Sequence, residues 1–266
     1  MNFKDVLEKA KKTVRWVTFY LGVPKCVECE EPLYTPFMPI CPECFEKYKR
    51  IKTANCSQCA RLLHECSCVN EYLEAHFIKQ HFKVLRYESR EENSVANELI
   101  FSLKMDNRAD VREFIASEMA ATLANFVGDR RDIIFTNVPR RRDAIINYGM
   151  DHAADLARIL AKHFNSEYRS ILFSESTKPQ KRTRGAERES NLEFGIREKY
   201  PAPLTDKTVI IVDDIVTTGA SVATAGALIR SLGAKNIVAA SFAATYKDKP
   251  QALYEAELAR REERWL

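Results

Sequence analysis

Two adjacent carboxylates, Asp213 and Asp214, directly follow four β-branched apolar residues, Val209 to Val212, and precede Thr217, Thr218, Gly219 and Ser221. The apolar run suits a strand buried on both faces, as in a parallel sheet. Beyond the turn, Val222, Ala225, Ile229 and Leu232 recur at helical spacing and the run stops at Gly233, a good residue to end a helix. A strand, an acidic pair, a hydroxyl- and glycine-bearing turn and a helix N-terminus are therefore contiguous. Unpaired N–H groups of the turn and first helical turn, aided by the helix dipole, favour an anion such as phosphate. Gly219 lets the backbone approach closely, and the hydroxyls add donors. The acidic pair repels phosphate but accepts hydrogen bonds from sugar hydroxyls or sits near a hydrated cation. Together the parts would grip a sugar that carries a terminal phosphate. A Walker-type loop has a different spacing.

A second chemistry lies upstream. All eight cysteines fall between Cys26 and Cys68, as Cys26-x-x-Cys29, Cys41-x-x-Cys44, Cys56-x-x-Cys59 and Cys66-x-Cys68. In a reducing compartment such pairs read as zinc knuckles rather than a disulfide framework. Two knuckles complete one tetrahedral all-cysteine site, so two zinc ions are expected, and metal would supply much of this small module's stability. Sequential pairing, the first four and then the last four, is simplest; an interleaved arrangement is open. His64 is read as a bystander. Between Cys26 and Cys68 there are five Lys/Arg and six Glu, so the module is no basic patch.

The elements that must position these groups follow in order. Residues 1–25 hold a basic stretch with a loose helical stripe. Ala75 to Tyr87 has strand character, Glu91 to Leu103 and Asp110 to Val127 read as helices, and Asp132 to Val138 as a strand ended by Pro139. Arg140, Arg141 and Arg142 follow in a loop reaching Gly149, then a helix from Asp151 to Phe164. A basic loop at the carboxyl edge of a parallel sheet is a natural anion site. Tyr168 to Phe173 reads as a short strand. Ser174 to Tyr200 is long and polar, with seven Lys/Arg against five Glu, and reads as a functional loop. Asn236 to Thr245 is a last strand, and Pro250 to Trp265 a charged terminal helix. Strands alternating with helices predict an α/β fold: a mostly parallel sheet flanked by helices, with a small N-terminal double zinc-ribbon module. The expected division is 1–25, a basic helix; 26–70, the zinc module; 71–250, the α/β domain; and 251–266, a helix or tail.

Composition narrows the rest. Forty-one Lys and Arg against 37 acidic residues leave a net charge of +4, which permits phosphorylated ligands or nucleic acid without requiring them. No apolar run approaches a membrane span, and the short apolar run Val14 to Val23 is interrupted by Arg15 and lacks a cleavage site. The expected location is the cytoplasm.

Ile211 to Ser221 resembles the 5-phosphoribosyl-1-diphosphate (PRPP) signature of type I phosphoribosyltransferases. The resemblance implies that Asp213 and Asp214 bind the ribose 2- and 3-hydroxyls. Thr217, Thr218, Gly219, Ala220 and Ser221 would bind the 5-phosphate. It also implies that the loop from Pro139 to Gly149, with Arg140, Arg141 and Arg142, holds the diphosphate, and that residues 174–200 form a flap. Paired N-terminal cysteines ahead of such a domain resemble the ComF family, associated with DNA uptake in naturally competent bacteria. Leu103-Lys104, Val138-Pro139, and Thr177, Gln180, Arg188 and Asn191 resemble family segments. On this resemblance the candidate catalytic residues are Asp213, Asp214, Lys104 and Arg188, and the cofactors are two Zn²⁺ and Mg²⁺. The activity implied is phosphoribosyl transfer, in the glycosyltransferase class. A single-stranded-DNA-binding or PRPP-sensing protein using the same cradle is the alternative. Expected partners are PRPP or another phosphorylated ribose, with single-stranded DNA, other DNA-uptake proteins and a second copy of the chain as further candidates. One segment departs from the family. Where Arg-Gly-Phe-Asn-Gln is usual, Tyr148-Gly149-Met150-Asp151-His152 stands, which removes a positive charge and leaves transfer activity open.

Overall fold

The computed structural model describes residues 22–35, 38–87, 94–174, 194–197 and 204–245. The helices expected within 1–25 and from Pro250 to Trp265, and most of the 174–200 stretch including Arg188, lie outside the described residues. In chain order the elements are α1 (Pro42–Lys52), a single 3-10 turn (Leu63–Glu65), α2 (Glu71–Ala75), β1 (His81–Arg86), α3 (Ser94–Met105), α4 (Ala109–Val127), β2 (Ile133–Asn137), α5 (Arg142–Tyr148), α6 (His152–His163), β3 (Glu167–Tyr168), β4 (Leu172–Ser174), β5 (Phe194–Ile196), β6 (Thr208–Val216), α7 (Ala220–Ser231) and β7 (Asn236–Ala244).

Five strands make a parallel sheet in the order β1-β7-β6-β2-β3. β4 and β5 form a separate antiparallel pair. The apolar run of β6 lies in the middle of the sheet, and its side chains alternate between two cores. Ile210 and Val212 join Leu156, Leu160, Ile115 and Leu123 from α6 and α4 on one face. Val209 and Ile211 join Val222 and Ile229 from α7 on the other. Burial on both faces is what an uninterrupted β-branched run requires. The sheet is mostly parallel and flanked by helices, as its strand–helix alternation predicts.

Four local expectations are revised. The strand expected from Ala75 begins only at His81, because the Asn70 side chain accepts a hydrogen bond from Leu73 N and caps a helical turn, α2, over the preceding residues. The loop from Pro139 to Gly149 contains a helix, α5, which ends at Gly149 in the left-handed conformation. The strand expected from Tyr168 to Phe173 is two strands: β3 pairs with β2, whereas β4 turns away to pair with β5. β6 itself runs through the acidic pair to Val216, since Asp213 stays in register with Ser241.

The cysteine-bearing segment is packed into this framework rather than hanging from it. Tyr48 of α1 is fully buried, stacks on Phe242 of β7, meets Phe114 of α4 edge-on, and donates its hydroxyl to Glu118 Oε2 at 2.8 Å. Tyr48→Ala is expected to cost roughly 3–5 kcal/mol, the usual penalty for emptying a buried aromatic site, measurable as a lower denaturant midpoint at unchanged slope. No helix among the described residues is long and apolar enough to cross a membrane.

Candidate functional site

The carboxyl ends of β2 and β6 bring the site together. Asp214 is 4% exposed. Its Oδ2 lies 3.1 Å from Lys104 Nζ, at the end of α3, and 3.0 Å from Arg140 Nη2, just beyond β2. Burial alone would push this carboxyl up, but the two cations outweigh burial and hold it below the ordinary carboxylate value. Two cations on one carboxylate leave a net positive centre beside the sheet edge. Asp213, its neighbour on the strand, points to the opposite face by strand alternation. Its Oδ1 accepts a hydrogen bond from Asp214 N. Burial, reinforced by the charge of Asp214, pushes Asp213 up to about 7. Of the three arginines in the basic loop, only Arg140 reaches the acidic pair; Arg141 approaches Asp143 at 3.6 Å, and Arg142 is exposed at the start of α5.

Arg140 is held from behind by residues that the sequence marked only as a departure. His152, fully buried at the start of α6, has Nδ1 2.9 Å from Arg140 Nη1 and Nε2 2.8 Å from Asn107 Oδ1. A guanidinium can only donate, so Nδ1 accepts, and the imidazole proton sits on Nε2 and is donated to Asn107. Asn107 in turn donates Nδ2 to the Tyr148 carbonyl at 2.8 Å. Burial first, then the Arg140 charge, lowers His152 to about 4, so the ring is neutral near pH 7. Arg140 also lies over the Tyr148 ring, 5.5 Å from its centroid. The segment that lacks the expected arginine thus supplies a platform and an acceptor for Arg140. Asp151 is the N-cap of α6, accepting from Ala154 N at 3.1 Å, and burial raises its carboxyl. Its Oδ1 is taken by this helix cap and its Oδ2 accepts from Asn137 Nδ2 at 3.4 Å. Asn107 carried no signal in the sequence.

The turn after β6 runs directly into a helix N-terminus, where Ala220 N donates to Thr218 Oγ1 at 3.3 Å. Gly219 sits at φ 90°, ψ 0° as the N-cap of α7, and that helix has no acidic residue in its first turn. Thr217 and Thr218 are exposed and Ser221 is half-buried. Glycine is required here for two reasons. The left-handed backbone disfavours a Cβ, and a Cβ would meet Leu73 Cγ and Cδ2 at 2.7 Å. The second reason is a contact with α2, not with a ligand.

The cysteines fall into the sequential grouping. Cys26, Cys29, Cys41 and Cys44 form one cluster; Cys56, Cys59, Cys66 and Cys68 form the other; in each, the sulfurs lie within 4.8 Å of one another. A tetrahedral ion with sulfur at about 2.3 Å places its ligands about 3.8 Å apart, so both tetrads fit zinc after small adjustments. The two knuckles share one geometry. Cys26 N bonds Glu31 O, Cys56 N bonds Arg61 O, and Glu30 and Ala60 both adopt φ 59°. His64 stands outside the tetrad, with Nδ1 3.2 Å from the Lys52 carbonyl.

Residues 149–257 match the phosphoribosyl transferase domain family. A ribose-phosphate pyrophosphokinase of Saccharolobus solfataricus is 37% identical over 89 residues, covering 34% of this chain and 26% of that protein. The chain therefore spans about a quarter of the length of that curated relative. The crystal structure of a purine phosphoribosyltransferase from Pyrococcus horikoshii overlaps 51% of this chain and 83% of its own, at 18% identity and a TM-score of 0.34. The chain carries a phosphoribosyltransferase-like domain, and the acidic pair, the Gly219 turn and α7 lie inside the matched region.

Proposed function

We propose that the cradle binds PRPP, with Mg²⁺ accompanying the diphosphate, and that it serves phosphoribosyl transfer within a DNA-uptake role of the ComF type. The observation that carries the PRPP reading is the meeting of an acidic pair, two half-buried cations and a left-handed glycine starting a helix at one edge of the parallel sheet. In this reading Thr217 to Ser221 hold the 5-phosphate and Asp213 orients the ribose hydroxyls, while Asp214, on the other face of the strand, anchors Lys104 and Arg140. Lys104 and Arg140 stabilise the diphosphate as its charge grows on leaving. Arg141, Arg142 and Arg188 remain candidates for its outer oxygens. Asp214 is already occupied by two cations, so Asp213 is the carboxylate better able to face Mg²⁺, which when bound neutralises charge on the leaving diphosphate. The DNA-uptake part rests on the pairing of a cysteine module with this domain.

Single-stranded DNA is the second reading, here at a surface other than the cradle. A groove of about 480 Å³ at the amino end of the sheet is bordered by Lys79, Arg130, Arg230 and Lys235, with Phe77 beside them 68% exposed. A phosphate-tracking groove would bind with a steep salt dependence.

Calorimetric titration with PRPP and Mg²⁺ separates the two. Micromolar binding lost in Asp213→Asn/Asp214→Asn supports the first; no PRPP binding by folded protein, with salt-sensitive binding of single-stranded DNA, supports the second. The pH profile adds a sign. Asp213 must ionise to accept from ribose hydroxyls, so the ionised fraction, and with it the affinity, should rise about tenfold from pH 6 to pH 8. Asp213→Asn should flatten that rise, and the difference between the two profiles removes the titration of PRPP itself. Because the folded value lies above the ordinary carboxylate value, Asp213 also makes the ligand-free protein lose stability as pH rises from about 4 to about 7.

Native mass spectrometry should find two zinc ions per chain. Cysteine-to-serine changes at Cys26 and Cys29, or at Cys66 and Cys68, should each remove one.

A further inference from the structure

The second cysteine tetrad and the phosphate turn are far apart in sequence but adjacent in space. Asn70 follows Cys68 by two residues. Both ends of its amide are committed: Oδ1 accepts from Leu73 N at 2.9 Å, and Nδ2 donates to the Thr218 carbonyl at 3.0 Å. The Thr218–Gly219 peptide is trans, because the structure contains no cis peptide bond among its described residues. In a trans peptide the C=O and N–H point in opposite directions. A donor that holds the Thr218 carbonyl toward α2 therefore turns the Gly219 N–H the other way, away from α2. Leu73, fully buried, closes the same contact by lying where a Gly219 side chain would go.

The segment carrying Asn70 is itself tied to the tetrad. Gln58, inside the Cys56–Cys59 knuckle, donates Nε2 to the Val69 carbonyl at 3.0 Å. Lys83 of β1 donates Nζ to the Cys68 carbonyl at 2.7 Å, and His81 N bonds Ser67 O at 3.0 Å. Every residue from Ser67 to Asn70 is thus fixed either by the knuckle, by β1 or by the phosphate turn. The first tetrad has no such link through these residues; it packs through α1 and Tyr48 into the core beneath the other sheet face.

We propose that Asn70 is a positioning residue for the phosphate turn, and that through it the metal held by the second cysteine tetrad sets the affinity of the cradle for phosphorylated ribose. The ligand class rests on the PRPP reading above; the latch between Asn70 and Thr218 does not.

Asn70→Ser and Asn70→Asp separate the latch from the helix cap. Serine and aspartate both cap helices well, so α2 keeps its start, but neither presents an N–H donor to Thr218, and aspartate sets a carboxylate against the carbonyl. Two readouts are made on zinc-loaded full-length protein: amide hydrogen exchange of residues 217–221 without ligand, and calorimetric titration with PRPP and Mg²⁺. Exchange in 217–221 should quicken roughly five- to tenfold in both variants, the worth of one hydrogen bond, while the β-sheet core is unchanged. PRPP affinity should fall by a similar factor in Asn70→Ser and by more in Asn70→Asp. Cys66→Ser/Cys68→Ser should reproduce the Asn70→Ser losses and add nothing when combined with it. Unchanged exchange and affinity in Asn70→Ser overturn the latch, even if the cysteine variant fails to fold. Losses that simply add overturn the coupling to the tetrad. If wild-type protein binds no PRPP, the function reading fails while the exchange measurement still decides the latch.

Discussion

Gly219→Ala is expected to abolish PRPP binding, with a drop in affinity of at least about a hundredfold, and to lower stability by roughly 2–3 kcal/mol. Two effects act at one atom. Alanine at φ 90° carries a left-handed penalty of about 1–2 kcal/mol. Its Cβ would also fall 2.7 Å from two carbons of Leu73, a contact that must open by moving the Leu73 side chain, α2 or the turn. Leu73 is fully buried and α2 is joined to the second tetrad, so the turn is expected to give way first. The companion variant Leu73→Ala distinguishes the two effects. In Gly219→Ala/Leu73→Ala the clash is gone and only the backbone penalty remains, so affinity should recover in part. Equal binding by Gly219→Ala and wild type would show that the turn is not the phosphate site.

Asp214→Asn should be the most destabilising change within the acidic pair, by about 3 kcal/mol. It leaves Lys104 and Arg140 facing a neutral amide in a mostly buried place, and breaking one partner of such a set costs more than the set contributes. Asp213→Asn should have the opposite sign near pH 7, because Asp213 is held in its charged form at a cost that the amide does not bear. Urea denaturation of the two variants at pH 7.5 therefore gives stability changes of opposite direction. His152→Ala tests the support behind Arg140. It removes the acceptor for Arg140 and the donor to Asn107, and should weaken diphosphate recognition more than ribose 5-phosphate recognition. His152→Gln, which offers both an acceptor and a donor, should restore part of the loss. If His152→Ala weakens both ligands equally, the histidine is only part of the core.

Much of this arrangement was legible in the amino-acid order because local chemistry dictates it. Four β-branched residues with no polar break have to be buried on both faces, and only the middle of a parallel sheet offers that to Val209 through Val212. Gly219 at a strand-to-helix turn and the cysteine pairs at two- or one-residue spacing carry their conformation with them. The strand, the turn and the eight cysteines could therefore be named residue by residue, whereas the sequential grouping of the cysteines, left open against an interleaved one, was decided by the fold.

What the order of residues left open depends on which distant side chains meet, and only tertiary packing determines that. Alternation along β6 sends Asp213 and Asp214 to different faces, and α3 and the end of β2 bring Lys104 and Arg140 into contact with Asp214 while they act on Asp213 only at longer range, so two identical carboxylates acquire opposite shifts. Tyr148, Asp151 and His152 looked like losses against the family pattern. In the fold they are a platform, a helix cap and an acceptor, because Asn107, more than forty residues upstream, closes the chain of hydrogen bonds around them. Asn70 and Leu73 gave no local sign of function at all. Their part arises from β1 lying beside β7 and β7 beside β6, which carries the second tetrad to the phosphate turn across 148 residues of chain. Short-range preference determines the shape of each segment; the long-range contacts of the sheet decide which charges and amides those shapes finally face.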